Sequence, residues 1–238
     1  MKTNRLILSL LGLTVMIQGT ILYRQYSDRP AAAVPAREPV REAPDGVVVD
    51  LGGLHVMGSP DAELVMIEFA DYECPFCARH VTEVLPELKD QYISTGRMRY
   101  AFANNPLAIH SNAVLLATAA ICAGEQGRYW EMHDRLFAMR PTGEDGLLAQ
   151  AEEVEIHTST FSDCLAAGRE EQIERDLETA TSLGITGTPT FAVGRATEAN
   201  LVRVETIVTG AQPLATFENV IDQARSRGVV DDDREELP

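Results

Sequence analysis

The 238-residue sequence has few cysteines, four in all, and one tryptophan. With so few cysteines, disulfides cannot be what holds a chain of this length together; an ordinary apolar core must do it. Basic residues are also scarce, at 20 Lys and Arg against 36 Asp and Glu. Residues 1 to 45 carry six of the basic and four of the acidic residues, so the excess of acid lies in the rest of the chain. A body this acidic repels phosphate, which excludes nucleic acid as a partner. No internal repeat is present. Neither Cys122 nor Cys164 has a CxxC or HxxxH partner, so the donors for a four-ligand zinc site are missing. No metal and no cofactor is expected.

Long apolar runs are lacking too, with one exception. Lys2 and Arg5 precede "LILSLLGLTVMIQGTILY", residues 6 to 23. This run is long for a signal-peptide core and just long enough to span a bilayer. No small-x-small cleavage site follows at once, although "RPAAAVPA" lies downstream. Residues 1 to 26 are therefore expected to be a signal anchor, or else a signal peptide. No cysteine lies near the run, so a lipid-anchored N-terminus is excluded. Either reading sends the body out of the cytoplasm, to the periplasm or an equivalent extracytoplasmic space. The anchor reading tethers it to the inner membrane through residues 6 to 23. Residues 27 to 46, "SDRPAAAVPAREPVREAPDG", read as a proline-rich linker. At about 3.1 Å per residue it could reach roughly 60 Å.

The body begins with "ELVMIEFADY" (63 to 72), a dense apolar run that reads as a buried strand. A helix is expected through "CPFCARHVTEVLPELKDQY", with Val81, Val84, Leu85 and Leu88 at helical spacing. "GRMRYAFANNP" (96 to 106) alternates as a second strand. A helical stretch then runs to Gly184, followed by strands in "TPTFAVG" and "VRVETIVTG" and a final helix from Pro213. Residues 229 to 238 read as a solvated acidic tail.

The chemistry is concentrated in "ECPFCARH" (73 to 80). Cys74 follows the strand and opens the helix, with Pro75 at the first helical position, where a missing N–H costs nothing. The helix N-terminus then points its free N–H groups at the Cys74 sulfur and favours a thiolate. Cys77, one turn on, is placed to resolve a mixed disulfide. A loop this short removes little chain entropy, so the pair is suited to being made and broken rather than to stapling the fold. Phe76 brings no charge to the pair. Asp71 and Glu73 are expected to oppose the thiolate if they lie close. Two thiolates could also hold Cu(I). His55, His80, His110, His133 and His157 are scattered; His80, three residues past Cys77, could lie near the site but reads first as a helix-surface residue.

"GSPDAELVMIEFADYECPFCARH", with "GITGTPTFAVG" and "TGAQPLATFENVID", resembles the DsbA-like branch of the thioredoxin superfamily. The resemblance runs from about residue 50 to 226. It implies an α/β thioredoxin fold in two parts, residues 47 to 103 and 185 to 228, with a helical domain inserted at 104 to 184. It implies a cis proline at Pro189, beside the active-site disulfide, and a substrate-contacting Thr188 before it. It implies that Glu68 lies beneath the disulfide and exchanges a proton with Cys77. Pro75 and Phe76 are then the dipeptide between the redox cysteines. Some relatives carry a second disulfide in the insert, so Cys122 and Cys164 either pair there or remain two buried thiols. The implied activity is protein thiol–disulfide exchange. Clients are proteins with cysteines, and a membrane-bound or soluble redox partner recharges the pair. A dithiol oxidase is the leading expectation. A reductase or isomerase of protein disulfides, or a Cu(I)-binding or chaperone module using the same cysteines, is the alternative.

Overall fold

The computed structural model describes residues 38–235. The expected anchor at 6 to 23 lies outside the described residues, and among those described no helix is long and apolar enough to cross a membrane. The chain forms a seven-stranded mixed sheet. Its strands are β1 (Val40–Glu42), β2 (Val48–Asp50), β3 (His55–Met57), β4 (Leu64–Ala70), β5 (Arg99–Asn104), β6 (Thr190–Ala196) and β7 (Leu201–Thr209). The order is β1-β7-β6-β4-β5-β3, with β2 also on β7. β4 is parallel to β5 and antiparallel to β6.

β4 is the middle of the sheet because both its faces are apolar. Alternation sends Leu64, Met66 and Ala70 into one core and Val65, Ile67 and Phe69 into the other. Glu68 has the parity of Met66 and Ala70. It is therefore driven into the first core, on the same side as Cys74, Cys77, Tyr100, Phe102 and Phe191.

The helix after the cysteine pair is shorter than its sequence suggests. α1 (Pro75–Glu83) ends one residue before a four-residue helix, α2 (Leu85–Leu88), and a π-turn at Lys89–Ile93 follows. Pro86 is the cause: it has no N–H for the carbonyl one turn back, and it disfavours helical backbone at the residue before it. Five helices then separate β5 from β6: α3 (Ala113–Gly124), α4 (Tyr129–Met139), α5 (Gly143–Glu153), α6 (Thr158–Ala167) and α7 (Glu170–Ser182). The alanines of α3 let it sit buried on nearly every side. α7 lays Ala180 against the second core, followed by Leu183 and Ile185. α8 (Leu214–Glu235) returns to the first core through Phe217, Val220, Ile221 and Ala224.

Two segments depart from the sequence reading. Val40–Glu42, inside the stretch read as linker, pairs antiparallel with Val208–Thr206 of β7. An outer strand tolerates the flanking prolines, and Pro39 uses its carbonyl to accept Thr209 N at 2.7 Å. At the other end, the backbone of α8 continues helical through residues 229 to 235, where a tail was expected.

Cys122 of α3 and Cys164 of α6 form a disulfide, with Cα atoms 5.8 Å apart and a sequence separation of 42. The loop it closes is long, so replacing both cysteines with alanine is expected to lower the unfolding free energy by about 4 kcal/mol. A urea titration with the 74–77 pair kept reduced would read it; an unchanged midpoint would mean the bridge carries no stability.

Candidate redox site

Cys74 is the N-cap of α1, with extended backbone (φ −70°, ψ 121°), and Pro75 follows at the first helical position. Its N–H donates to Asp71 O at 3.0 Å, which closes the turn between β4 and α1. Both cysteines are buried and both are free thiols here. Phe76 between them is 55% exposed and stands beside the pair as an apolar surface.

The two sulfurs are driven apart electrostatically. The Cys74 thiol is held down at about 5. The Cys77 thiol beside it is the main cause, Thr188 and the N–H groups of Cys77 and Phe76 add to it, and burial opposes them. Cys77 goes the other way. Burial pushes its thiol far above the ordinary range, and the bond to Cys74 and the charge of Glu68 push it further. One sulfur is thus a thiolate at neutral pH and the other holds its proton.

The loop before β6 forms the opposite wall. The Thr188–Pro189 peptide bond is cis. Cys74 Sγ lies 3.5 Å from Thr188 O, and Thr188 Oγ1 is buried without a hydrogen-bond partner. Pro189 O accepts Gly210 N at 2.8 Å, which ties this wall to the end of β7.

Beneath the pair, Glu68 is fully buried. Tyr100 Oη donates to Glu68 Oε2 at 2.5 Å, and Oε1 has no partner. Burial raises the Glu68 carboxyl to about 8; the Tyr100 bond pulls down and the Cys74 charge pushes up. At neutral pH it therefore carries a proton in a place reached by few others.

The expected opposition from Asp71 and Glu73 takes another form. Both carboxylates are turned to the segment after β5. Asp71 accepts Glu73 N at 2.8 Å, Leu107 N at 2.7 Å and His110 Nδ1 at 2.8 Å. Glu73 accepts Asn112 N at 2.6 Å and Asn112 Nδ2 at 3.1 Å. His110 is raised above the ordinary imidazole range, first by the Asp71 bond and also by the charges of Asp71, Cys74 and Glu73, against some burial. The charged form of His110 is thus favoured near a dipeptide that supplies no charge of its own. Because the raised group is the imidazolium, its influence is full below the ordinary imidazole range and is lost as pH rises through the raised value. His110→Gln is expected to raise the Cys74 pKa by a few tenths to one unit, read from thiolate absorbance at 240 nm. An unchanged titration would remove His110 from the site.

The fold thus gathers Cys74, Pro75, Phe76, Cys77, Glu68, Thr188 and Pro189 at one place, and leaves Cys122 and Cys164 apart in the helical layer. Two residues at the site were not singled out from the sequence, His110 and Tyr100, and a third, His80, was read there as a helix-surface residue. His80 is fully buried, not on the helix surface, with its ring 4.4 Å from that of Phe191 and 5.2 Å from that of Phe217. Its position in the series 77, 80, 84, 88 was the available signal.

The thioredoxin family profile matches residues 51–212. The chain belongs to the thioredoxin family. Within that family the resemblance to the DsbA-like branch holds. Wolbachia pipientis alpha-DsbA1 superposes with a TM-score of 0.61 at 27% identity, over 75% of this chain and 94% of that one. The Disulfide bond formation protein D of Bacillus subtilis is 27% identical over 152 residues, 59% of this chain and 68% of that protein. A Salinispora tropica protein named Na(+)/H(+) antiporter NhaA 3 is 36% identical over 156 residues. That match takes in 62% of this chain, which spans only 22% of the length of the Salinispora protein.

Proposed function

We propose that this member of the DsbA-like branch is a thiol–disulfide oxidoreductase that works outside the cytoplasm as a dithiol oxidase. One observation carries the direction: Cys74 is stabilised as a thiolate and Cys77 is not. A stabilised thiolate favours the reduced pair, so the disulfide is easily given away.

The cycle follows from the site. A client thiolate attacks Cys74 Sγ of the oxidised pair, the more accessible sulfur. Cys77 leaves and, being unfavourable as a buried anion, takes the Glu68 proton. A second client thiol then attacks the client sulfur of the mixed disulfide. Cys74 departs as its stable thiolate, and the client holds the new disulfide. Thr188 and Pro189 line the side of Cys74 along which client backbone would lie, with Thr188 Oγ1 unpartnered there. A redox partner, membrane-bound or soluble, must take the two electrons to recharge the pair. The Cys122–Cys164 disulfide favours an extracytoplasmic location, and the apolar N-terminal run favours a membrane tether.

The test is the equilibrium of the purified full-length chain with glutathione. At pH 7 a thiolate held at about 5 stabilises the reduced pair by roughly 1–3 kcal/mol after allowance for its partial exposure, or on the order of 20–60 mV. A potential above the glutathione couple is the expected result. A potential at or below it would make the chain a reductase or isomerase. No exchange at all, with retained Cu(I), would make it a copper carrier.

A further inference from the structure

A cavity of about 270 Å³ lies between β2, the loop 52 to 54 and α7. Its buried apolar lining, Val49 and Ala103, belongs to the second core, whereas Cys74 and Cys77 belong to the first. The most buried polar residue of the lining is Asp176, 5% exposed. Asn104 N and Nδ2 both donate to Asp176 Oδ2 at 2.8 Å. Asp176 Oδ1 receives no hydrogen bond from the described residues, and Asn104 Oδ1 is a second buried acceptor without a partner. Burial raises the Asp176 carboxyl to about 6, so at neutral pH it is still an anion. The other polar groups of the lining direct their donors elsewhere. Gln172 Nε2 donates to Gly53 O at 2.8 Å, Thr179 Oγ1 to Arg175 O at 2.9 Å and Ser182 Oγ to Thr179 O at 2.7 Å. Gly52 N donates to Asp50 Oδ1 at 2.8 Å. The groups left over are acceptors, and exposed Asp50 and Glu178 add negative charge at the rim. Arg175 is the one cation among the described lining residues; it is exposed and makes no hydrogen bond to Asp176.

We propose that this cavity binds a small primary alkylammonium ion. Its N–H groups donate to Asp176 Oδ1, and its methylene body lies along Val48, Val49, Leu54 and Ala103. The chemistry of the lining selects this class of ligand. It must donate, because the groups without partners are acceptors. It must be a cation, because a buried carboxylate with an uncommitted oxygen is unfavourable until a positive donor meets it. The balance of the lining agrees, with Asp50, Asp176 and Glu178 set against Arg175 alone. It must carry an aliphatic body, because the rest of the wall is apolar. A metal ion does not fit, since among the described residues no group of three or more His, Cys, Asp or Glu is placed to hold one. None of the lining residues belongs to the redox site, so this inference stands apart from the reading of Cys74 and Cys77.

The probe is n-butylammonium, titrated into the isotopically labelled full-length chain and followed by amide chemical shifts. One saturable transition in roughly the millimolar range is expected, the strength that so small a ligand can supply. The shifts should centre on Gly52, Gly53, Ala103 and Asn104. Asp176→Asn keeps the shape and removes the charge, and should weaken binding by about tenfold or more. Val48→Phe fills the rim from a position that is 50% exposed, and should weaken binding similarly. It carries the test if Asp176→Asn does not fold. Tetramethylammonium has the charge but no N–H to donate, and should not compete. Shifts scattered over the acidic surface without saturation would mean non-specific attraction and overturn the site. Undiminished binding to a folded Asp176→Asn, or to Val48→Phe, would overturn it too, as would competition by tetramethylammonium at equal strength. If Nα-acetyl-lysine methylamide shifts the same amides at least as tightly, the ammonium belongs to a lysine of a partner protein and the small-ion assignment falls.

Discussion

Cys77→Ser should abolish oxidase turnover, since no 74–77 disulfide can form, while Cys74 attacking client disulfides leaves client proteins covalently held on it. Cys74 keeps its place at the N-terminus of α1, with the N–H groups of Phe76 and residue 77 still aimed at its sulfur, so attack on a client disulfide continues. What is lost is the second sulfur that forms the donated disulfide and that frees a client captured through its own disulfide. Cys74→Ser should remove exchange entirely, because the remaining thiol is buried and holds its proton far above neutral pH. Turnover with a reduced, unfolded client is expected to fall by at least about 10³-fold in either variant, the scale on which losing a covalent nucleophile acts. Non-reducing gels separate them: adducts with Cys77→Ser, none with Cys74→Ser. Adducts on Cys74→Ser instead would reverse the assignment of nucleophile and resolving thiol.

The second large effect is on stability. The Glu68 carboxyl lies at about 8 in the folded chain against an ordinary 4.5, chiefly through burial. The folded state therefore binds a proton that the unfolded state has already lost, between those two values. Stability must fall as pH rises through that window and level off above it. The full loss is roughly 3–5 kcal/mol, at about 1.4 kcal/mol for each pH unit between the two values. Glu68→Gln has no proton to lose. It should match the wild type near pH 5 and exceed it by several kcal/mol near pH 9. The comparison belongs on the oxidised protein, because the reduced one gains stability over part of the same range as the Cys74 thiolate forms. Asp176, raised by burial to about 6, contributes to the wild type and the variant alike and drops out of the difference. Parallel urea midpoints for the two proteins from pH 5 to 9 would show that Glu68 is not buried as an acid.

These two predictions rest on features of different legibility. The strand–cysteine–proline order was readable because each part is local: an apolar run, two cysteines three residues apart, a proline tolerated at a helix start. That order made Cys74 the candidate nucleophile; its net poise was not readable, because Thr188, from a distant loop, also acts on the Cys74 thiol. Glu68 was reached through the resemblance, and its burial rests on which face of β4 meets the cysteines. Tyr100 was invisible for a related reason. It stands opposite Met66 in the parallel pairing, two residues from the partner of Glu68, and no pattern within either strand states that register. His80 was read as surface although its place three residues past Cys77 allowed it to lie near the site; the structure buries it. His110 lies 39 residues from Asp71 in the sequence, and only the path of the segment after β5 brings them together.

The sequence alone determined the element order, the central buried strand, the redox pair at a helix start and the acidic body, because these depend on neighbours within one or two turns of chain. The tertiary structure decided which charges face the sulfurs. It turned Asp71 and Glu73 away to His110 and Asn112, placed Thr188 against Cys74, and bonded Cys122 to Cys164. It also drew Val40–Glu42 out of the supposed linker to cover the outer side of β7. Each of these is a contact between distant segments, where the register of strands and the closure of loops set distances, and distance and burial set the strength of every charge.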